Sequence, residues 1–422
     1  MADERRNTMD DKKHKRYVRI WHFLAVQAGG WIRRKFHFSY DMSAYEKIEG
    51  PVILIPNHAC NWDPILIGIA CKNKQSYFVM SEHMARVPAA GKLIRFFFNP
   101  ILRRKASTDL EMVRECFRHT DAGHSICLFA EGDQTWDGIT GKVYPATGQL
   151  VKLSKAALVT VRLEGAFLSH PRWASGLRRG RIEGRIAGVY TPEEIQKMSV
   201  DEVQRVIERD LYFDIWEWQR SMPGEPVAFR GRGKNRDSAK GIDMLFFMCP
   251  GCGSIGTIRT EGSGMLCECG FRAKWLNTGF IEPVSPAVNH PPYDFTTIPG
   301  WDGWQREELE KMTERILADG SEKNLFEDGP AILSRVEGDH KGIVIGRGKL
   351  ALDFRGGKAA MTVGESSFDL NEIKNMALIL SRRIVFSYGE GYYEISTKGI
   401  NIRKYLLVWN TVTHSGRENG VF

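Results

Sequence analysis

The stretch VILIPNHACNWDPIL, residues 52–66, joins two apolar runs through a polar hinge. Val52 to Ile55 predicts a buried strand. Asp63-Pro64 then predicts a helix start, because a carboxylate accepts free backbone N–H groups and a proline in the first turn has no N–H to leave unpaired. Strand, short loop and helix are the unit of open α/β sheets, which place their ligand crevices at strand ends. His58 falls at such an end. Asp63 follows five residues later, close enough to reach one imidazole nitrogen, fix the tautomer and leave the other nitrogen as a base. Taken alone, the pair also reads as a helix cap beside an ordinary loop histidine.

Outward from this hinge, strand-like runs at 52–56, 76–80, 125–130 and 157–163 alternate with helical patterns near 64–72, 89–98, 107–121 and 145–155. This alternation predicts an α/β core with a mixed, largely parallel sheet and flanking helices. A further strand-like run, RIEGRIAGVYT, precedes one long helix expected from Pro192 to about Arg220 with Thr191 as its cap. The Gly-, Pro- and charge-rich passage at 223–241 suggests a boundary, so the first domain is expected over 1–240.

The chain has 422 residues and a net charge of +8, and the charge is unevenly placed: residues 1–40 hold ten Lys or Arg against four Asp or Glu. Aromatic and aliphatic residues (Tyr17, Trp21, Phe23, Leu24, Val26, Trp31) are mixed among these bases, as in an interfacial helix attracted to anionic lipid. A helix that simply covers the core of the domain would look the same. No apolar run approaches the roughly 18–20 residues a spanning helix needs, and the polar N-terminus does not resemble a secretory signal. A cytoplasmic, peripheral membrane protein is the expectation.

Four of the eight cysteines have ligand spacing: Cys249 and Cys252 in CPGCG, then Cys267 and Cys269 in CECG, with fourteen residues between the pairs. Two knuckles with glycines after Cys252 and Cys269 predict a zinc-ribbon-like module over 245–282 that holds a structural zinc ion with no open coordination position. Disulfides are disfavoured without a secretory signal. Arg259, Arg272 and Lys274 are too few to favour a nucleic-acid partner. Five prolines (Pro283, Pro286, Pro291, Pro292, Pro299) suggest a second linker. The third domain is expected over 300–422: a helix, about seven short strands from 330 to 396, and a closing helix with Ile402, Tyr405, Leu406, Trp409 and Val412 on one side. Seven strands capped by a helix resemble the pleckstrin-homology-like (PH-like) β-sandwich in topology.

Residues 51–64 resemble the first block, Asn-His-x4-Asp, of the glycerolipid (1-acylglycerol-3-phosphate-type) acyltransferase superfamily. Pro88, Gly91 and Arg103 are similar to its second block, and Phe129, Glu131 and Gly132 to its third; Val159 and Val161 sit where its fourth, apolar strand belongs. The third block departs from the family: Asp133-Gln134 stands in place of Thr-Arg, and Ala130 in place of Pro. The resemblance covers roughly the first 220 residues. It implies a lysophospholipid-type O-acyltransferase in which His58, oriented by Asp63, deprotonates an acceptor hydroxyl that attacks the thioester of acyl-CoA or acyl-ACP. It also implies substrate-binding roles for Asn57 and Gly132, and for Glu131 a role in binding the acceptor or organising the loop, where a satisfied polar group at a strand end would look the same. Since Gln134 does not carry the family's Arg contact, either Arg103, Arg104 or Arg162 meets an acceptor phosphate or the acceptor is not 1-acylglycerol-3-phosphate.

Oxyanion donors are expected from backbone N–H groups near Gly132 and in the helix after Asp63. A lysolipid such as 1-acylglycerol-3-phosphate and membrane surface lipids are the expected partners; no oligomeric interface is legible. Cys60 is a rival nucleophile that His58 would activate. The stripe Leu93, Ile94, Phe96, Phe97, Phe98 and Ile101 reads as core packing first and as an acyl tunnel or membrane face second. A reading from a different class is a non-catalytic lipid-binding scaffold whose ribbon recruits a protein or nucleic acid.

Overall fold

The structure is a computed structural model in which residues 2–86, 90–105, 110–231, 239–285, 290–337 and 342–413 are described. Pro88 and Pro286, two residues of the sequence reading, lie outside these segments. The chain forms two compact units, the first essentially residues 1–229 and the second 230–422, each with short exchanged segments.

Seven strands form the sheet of the first unit: β1 (Phe38–Asp41), β2 (Val52–Pro56), β3 (Ser76–Ser81), β4 (Ile101–Arg103), β5 (Ser125–Cys127), β6 (Ala157–Glu164) and β7 (Ile182–Tyr190). Their order is β1-β7-β6-β2-β5-β3-β4, and every neighbouring pair is parallel except β6 with β7. Val52, Ile53, Leu54 and Ile55 are completely buried, as a central strand covered on both faces requires. The N-terminal helix Ala2–Gln27 supplies part of that cover through Tyr17 and Trp21, while Phe23 and Val26 on its other side are exposed. Helix Asp63–Ala70 accepts the Trp21 ring at Gly68, where a Cβ would come within 2.2 Å of it. Among the described residues no helix is long and apolar enough to cross a membrane.

The single helix expected from Pro192 to Arg220 is three helices: Pro192–Lys197, Val200–Leu211 and Ile215–Arg220. Ser199 and Glu202 form a capping box that restarts the chain after Lys197, and Asp214 caps the third helix by accepting from the Trp216 and Glu217 amides.

In the second unit β8 (Arg259–Glu261), β9 (Gly264–Leu266), β10 (Arg272–Trp275) and β11 (Ile281–Ser285) make an antiparallel sheet in the order β11-β10-β9-β8. The proline-rich segment is therefore not a linker throughout: Pro283 lies in edge strand β11 and Pro299 in the first turn of helix Ile298–Asp319. The cysteine module is not a body apart either. Gln305 of that helix accepts from the Phe247 amide at 3.0 Å and donates to Leu245 O at 3.0 Å, and the Trp301 indole donates to Met248 O at 3.0 Å.

Seven antiparallel strands follow: β12 (Lys323–Val336), β13 (Gly342–Arg355), β14 (Lys358–Val363), β15 (Ser366–Asp369), β16 (Ile373–Ile379), β17 (Arg383–Tyr388) and β18 (Gly391–Thr397), in the order β15-β14-β13-β12-β18-β17-β16. Helix Arg403–Thr413 closes the unit, and all five residues of its expected apolar face are buried. Its Tyr405 hydroxyl donates to Leu350 O at 2.9 Å, and its Arg403 forms a bidentate pair with the buried Asp302.

Candidate active site

His58 lies two residues past the end of β2, and its Nδ1 is 2.8 Å from Asp63 Oδ2. A carboxylate only accepts, so the proton resides on Nδ1 and the Nε2 lone pair is left available. The ring stacks on Phe129 with centroids 4.3 Å apart, and the side chain remains 17% exposed.

Asp63 is completely buried but does not cap its own helix. Its Oδ2 also accepts from the Ala59 and Cys60 amides at 2.6 and 2.8 Å, and its Oδ1 accepts from the Cys60 thiol at 3.1 Å. The carboxylate thus points back into the 58–60 loop and anchors it. Cys60 is an unsuitable nucleophile: burial first, then the neighbouring Asp63 charge, pushes its thiol well above the usual range.

The 131–135 loop grips the backbone of His58 from both sides. Glu131 Oε1 accepts the His58 N–H at 2.6 Å, and the Thr135 N–H donates to His58 O at 2.9 Å. The other Glu131 oxygen accepts from the Gly141 amide at 2.6 Å, so the carboxylate ties the 131–141 loop to the His58 backbone. Burial raises Glu131 to about 8, against the two amides, which favour its ionised form. Gly132 turns at φ +70°, and a Cβ there would sit 2.0 Å from the Tyr144 ring. Arg103 lies over that same ring, 4.4 Å from its centroid, which brings it to the flank of the loop.

The remaining expected site residues have partners within the fold. Asn57 is buried and its Oδ1 accepts from the Leu163 amide at 2.7 Å, which ties the strand end to β6. Arg162 points to the opposite face of β6 from Leu163, and lies 3.8 Å from Glu164. Arg104 is bound to Glu82 at 3.1 Å. The expected oxyanion amides are engaged: Gly132 N–H donates to Phe129 O, and those of Ile65 and Leu66 to Trp62 O. The Gln134 side chain donates to Asn61 Oδ1 at 2.5 Å. The stripe divides: Leu93, Phe96 and Phe97 are exposed, whereas Ile101 is buried in the core and Phe98 packs against it; Gly91, in the same helix, meets Ala85 so closely that a Cβ would lie 2.1 Å from its carbonyl oxygen.

Thr135, Gly141 and Tyr144 were missed. Each acts through its backbone or through ring packing, and neither leaves a mark in residue type or spacing. Beside His58 a recess of about 10 Å³ is lined by Asn57, Glu131, Thr140, Leu163 and Phe213. It is too small for an acyl chain. Outside this site, the sulfurs of Cys249, Cys252, Cys267 and Cys269 lie within 4.8 Å of one another.

Residues 34–164 match the family model described as Acyltransferase. The span contains His58, Asp63, Arg103, Glu131, Gly132 and Arg162, and ends before the cysteine cluster. Among solved structures, the 1-acyl-sn-glycerophosphate (LPA) acyltransferase PlsC from Thermotoga maritima is similar with 17% sequence identity and a TM-score of 0.38, over 49% of this chain and 81% of that one.

Proposed function

We propose that the first unit transfers an acyl group from a thioester donor, acyl-CoA or acyl-ACP, to the hydroxyl of a lysolipid at a membrane surface. The observation that carries the reading is the His58–Asp63 pair, with Nδ1 committed to the carboxylate and Nε2 presented at the end of a parallel strand. The Acyltransferase match over the same residues supports it. In this reading Nε2 takes the acceptor O–H proton as the oxygen attacks the thioester carbonyl carbon. The C–S bond of the tetrahedral intermediate then breaks, and the imidazolium returns the proton to the departing thiolate. Asp63 holds the ring and balances the imidazolium charge. Arg103 is the base that would face an acceptor phosphate, in place of the family's third-block Arg.

The membrane assignment is supported by a groove of about 590 Å³ lined by Lys12, Lys15, Arg16, Arg19, Phe23 and Phe97, which joins exposed apolar rings to a basic rim. Purified full-length protein assayed with labelled acyl-CoA or acyl-ACP against a panel of lysolipids, including 1-acylglycerol-3-phosphate, should show transfer that His58→Ala abolishes. Lysolipid binding without any His58-dependent transfer would replace the enzyme with the lipid-binding scaffold.

A further inference from the structure

Two hairpin turns in the second unit bring four cysteines together. Cys249 and Cys269 sulfurs are 3.7 Å apart, and those of Cys252 and Cys267 are 3.9 Å apart. A disulfide requires about 2.05 Å. A tetrahedral ion bound about 2.3 Å from each sulfur spaces its ligands by about 3.8 Å. Among the described residues this is the one cluster of His, Cys, Asp or Glu side chains that converges in this way.

The backbone is shaped for the same purpose. The turn after the first pair closes by Gly253 N–H to Cys249 O at 2.8 Å, and that in the second by Gly270 N–H to Cys267 O at 3.0 Å. Gly253 and Gly270 adopt φ +70° and +96°, the left-handed geometry that other residues resist. Gly251 lies between the loops, where a Cβ would be 3.1 Å from Phe271 Cβ and 3.4 Å from the Cys269 sulfur.

We propose that these four thiolates bind one soft tetrahedral cation, Zn2+, and that the ion fastens both loops to the Trp301 core of the second unit. A four-thiolate set suits zinc and, with all positions filled by protein, supplies no catalytic vacancy. The loops are joined to that core directly. Phe271, two residues after Cys269, packs edge-on against Trp301 with centroids 5.4 Å apart, and Phe246, three residues before Cys249, stacks on the same indole at 4.1 Å. Met248 O accepts from the Trp301 indole, and Pro250 O from His290 Nε2 at 2.9 Å. Without the ion, four thiols held this close have nothing to draw them together, and both loops lose the link that holds Phe271 and Phe246 against one ring. Acyl transfer is not needed for this inference, nor does its test measure it.

The full-length protein, purified under reducing conditions without chelator, should contain one zinc per chain by elemental mass spectrometry, and Cys267→Ser with Cys269→Ser should retain less than a tenth of it. After zinc is stripped by chelation, titration with Co2+ should give the visible d–d and sulfur-to-cobalt charge-transfer bands of a four-thiolate tetrahedral site, saturating at one equivalent. Stripping should also raise the protease susceptibility of residues 245–282 and shift tryptophan emission to the red, both reversed by added Zn2+. Iron as the resident metal, an unchanged zinc content in the double variant, or no cobalt spectrum in stripped wild-type protein would overturn the proposal. The cobalt titration uses no variant, so misfolding of the double variant leaves it decisive.

Discussion

Asp63 Oδ2 accepts from the His58 ring and from two backbone amides, so one carboxylate both shapes the 58–60 loop and selects the imidazole tautomer. Asp63→Asn keeps the size but replaces one acceptor oxygen with an NH2 that cannot accept. The side chain then either abandons the amides or presents a donor to Nδ1, which moves the proton to Nε2 and removes the base. The expected result is a fall in kcat of about a hundredfold or more, with donor KM little changed, measured in the same acyl-transfer assay. Glu131 gives a pH signature. Its folded pKa lies above the unfolded value of 4.5, at about 8, so the folded chain binds more protons here than the unfolded chain within that window. Stability contributed at this position therefore falls as pH rises from about 4.5 to about 8. Glu131→Gln removes the titration, so the urea midpoint of wild type minus that of the variant should shrink between pH 5 and pH 8; a difference independent of pH would reject the assignment.

At the level of elements, the β2-loop-helix unit was legible because its chemistry lies within one local stretch, and a five-residue separation restricts where Asp63 can point. The grip of Thr135 on the His58 backbone was not: it joins distant positions through an amide N–H and a carbonyl, a pair that every residue type but proline possesses. Strand alternation places Arg162 on the face of β6 opposite Val161 and Leu163, a period that was readable in the sequence. The break at 198–199 was also present in the sequence, as Ser199-x-x-Glu202 ahead of the apolar face of Val203 and Ile207, but the continuous helical period around it masked the cap. Because Ser199 Oγ accepts from the Glu202 amide and the Glu202 carboxylate returns to the Ser199 amide at 2.7 Å, Ser199→Ala should cost about 1 kcal/mol. For a unit of this size that is a drop of roughly 2–4 °C in the thermal midpoint of its transition, measurable by calorimetry. No change would mean that packing of Val203 and Ile207 alone positions the helix.

The net charge of +8 acquires a location once the whole chain is considered, since residues 1–40 carry a surplus of six positive charges and include the helix Ala2–Gln27 that lines one side of the apolar groove. Bases spread evenly would favour solubility; bases clustered beside Phe23 and Phe97, which are 62% and 38% exposed, favour a surface that is both apolar and negatively charged. Each Lys or Arg near an anionic leaflet contributes about 1 kcal/mol, and Lys12, Lys15, Arg16 and Arg19 all line this groove. Binding of the full chain to phosphatidylcholine vesicles containing phosphatidylglycerol should therefore be at least about a hundredfold tighter than to phosphatidylcholine alone, and should weaken steeply as salt shortens the screening length. Phe23→Glu with Phe97→Glu should abolish most of that binding by placing carboxylates in the interfacial face. Because neither residue belongs to the His58 site, transfer to a short-chain, water-soluble acceptor should be preserved in the double variant while transfer to vesicle-embedded lysolipid is lost. Equal affinity for neutral and anionic vesicles, or parallel loss with both acceptors, would remove the groove from the membrane role and leave its exposed rings to be explained by another partner.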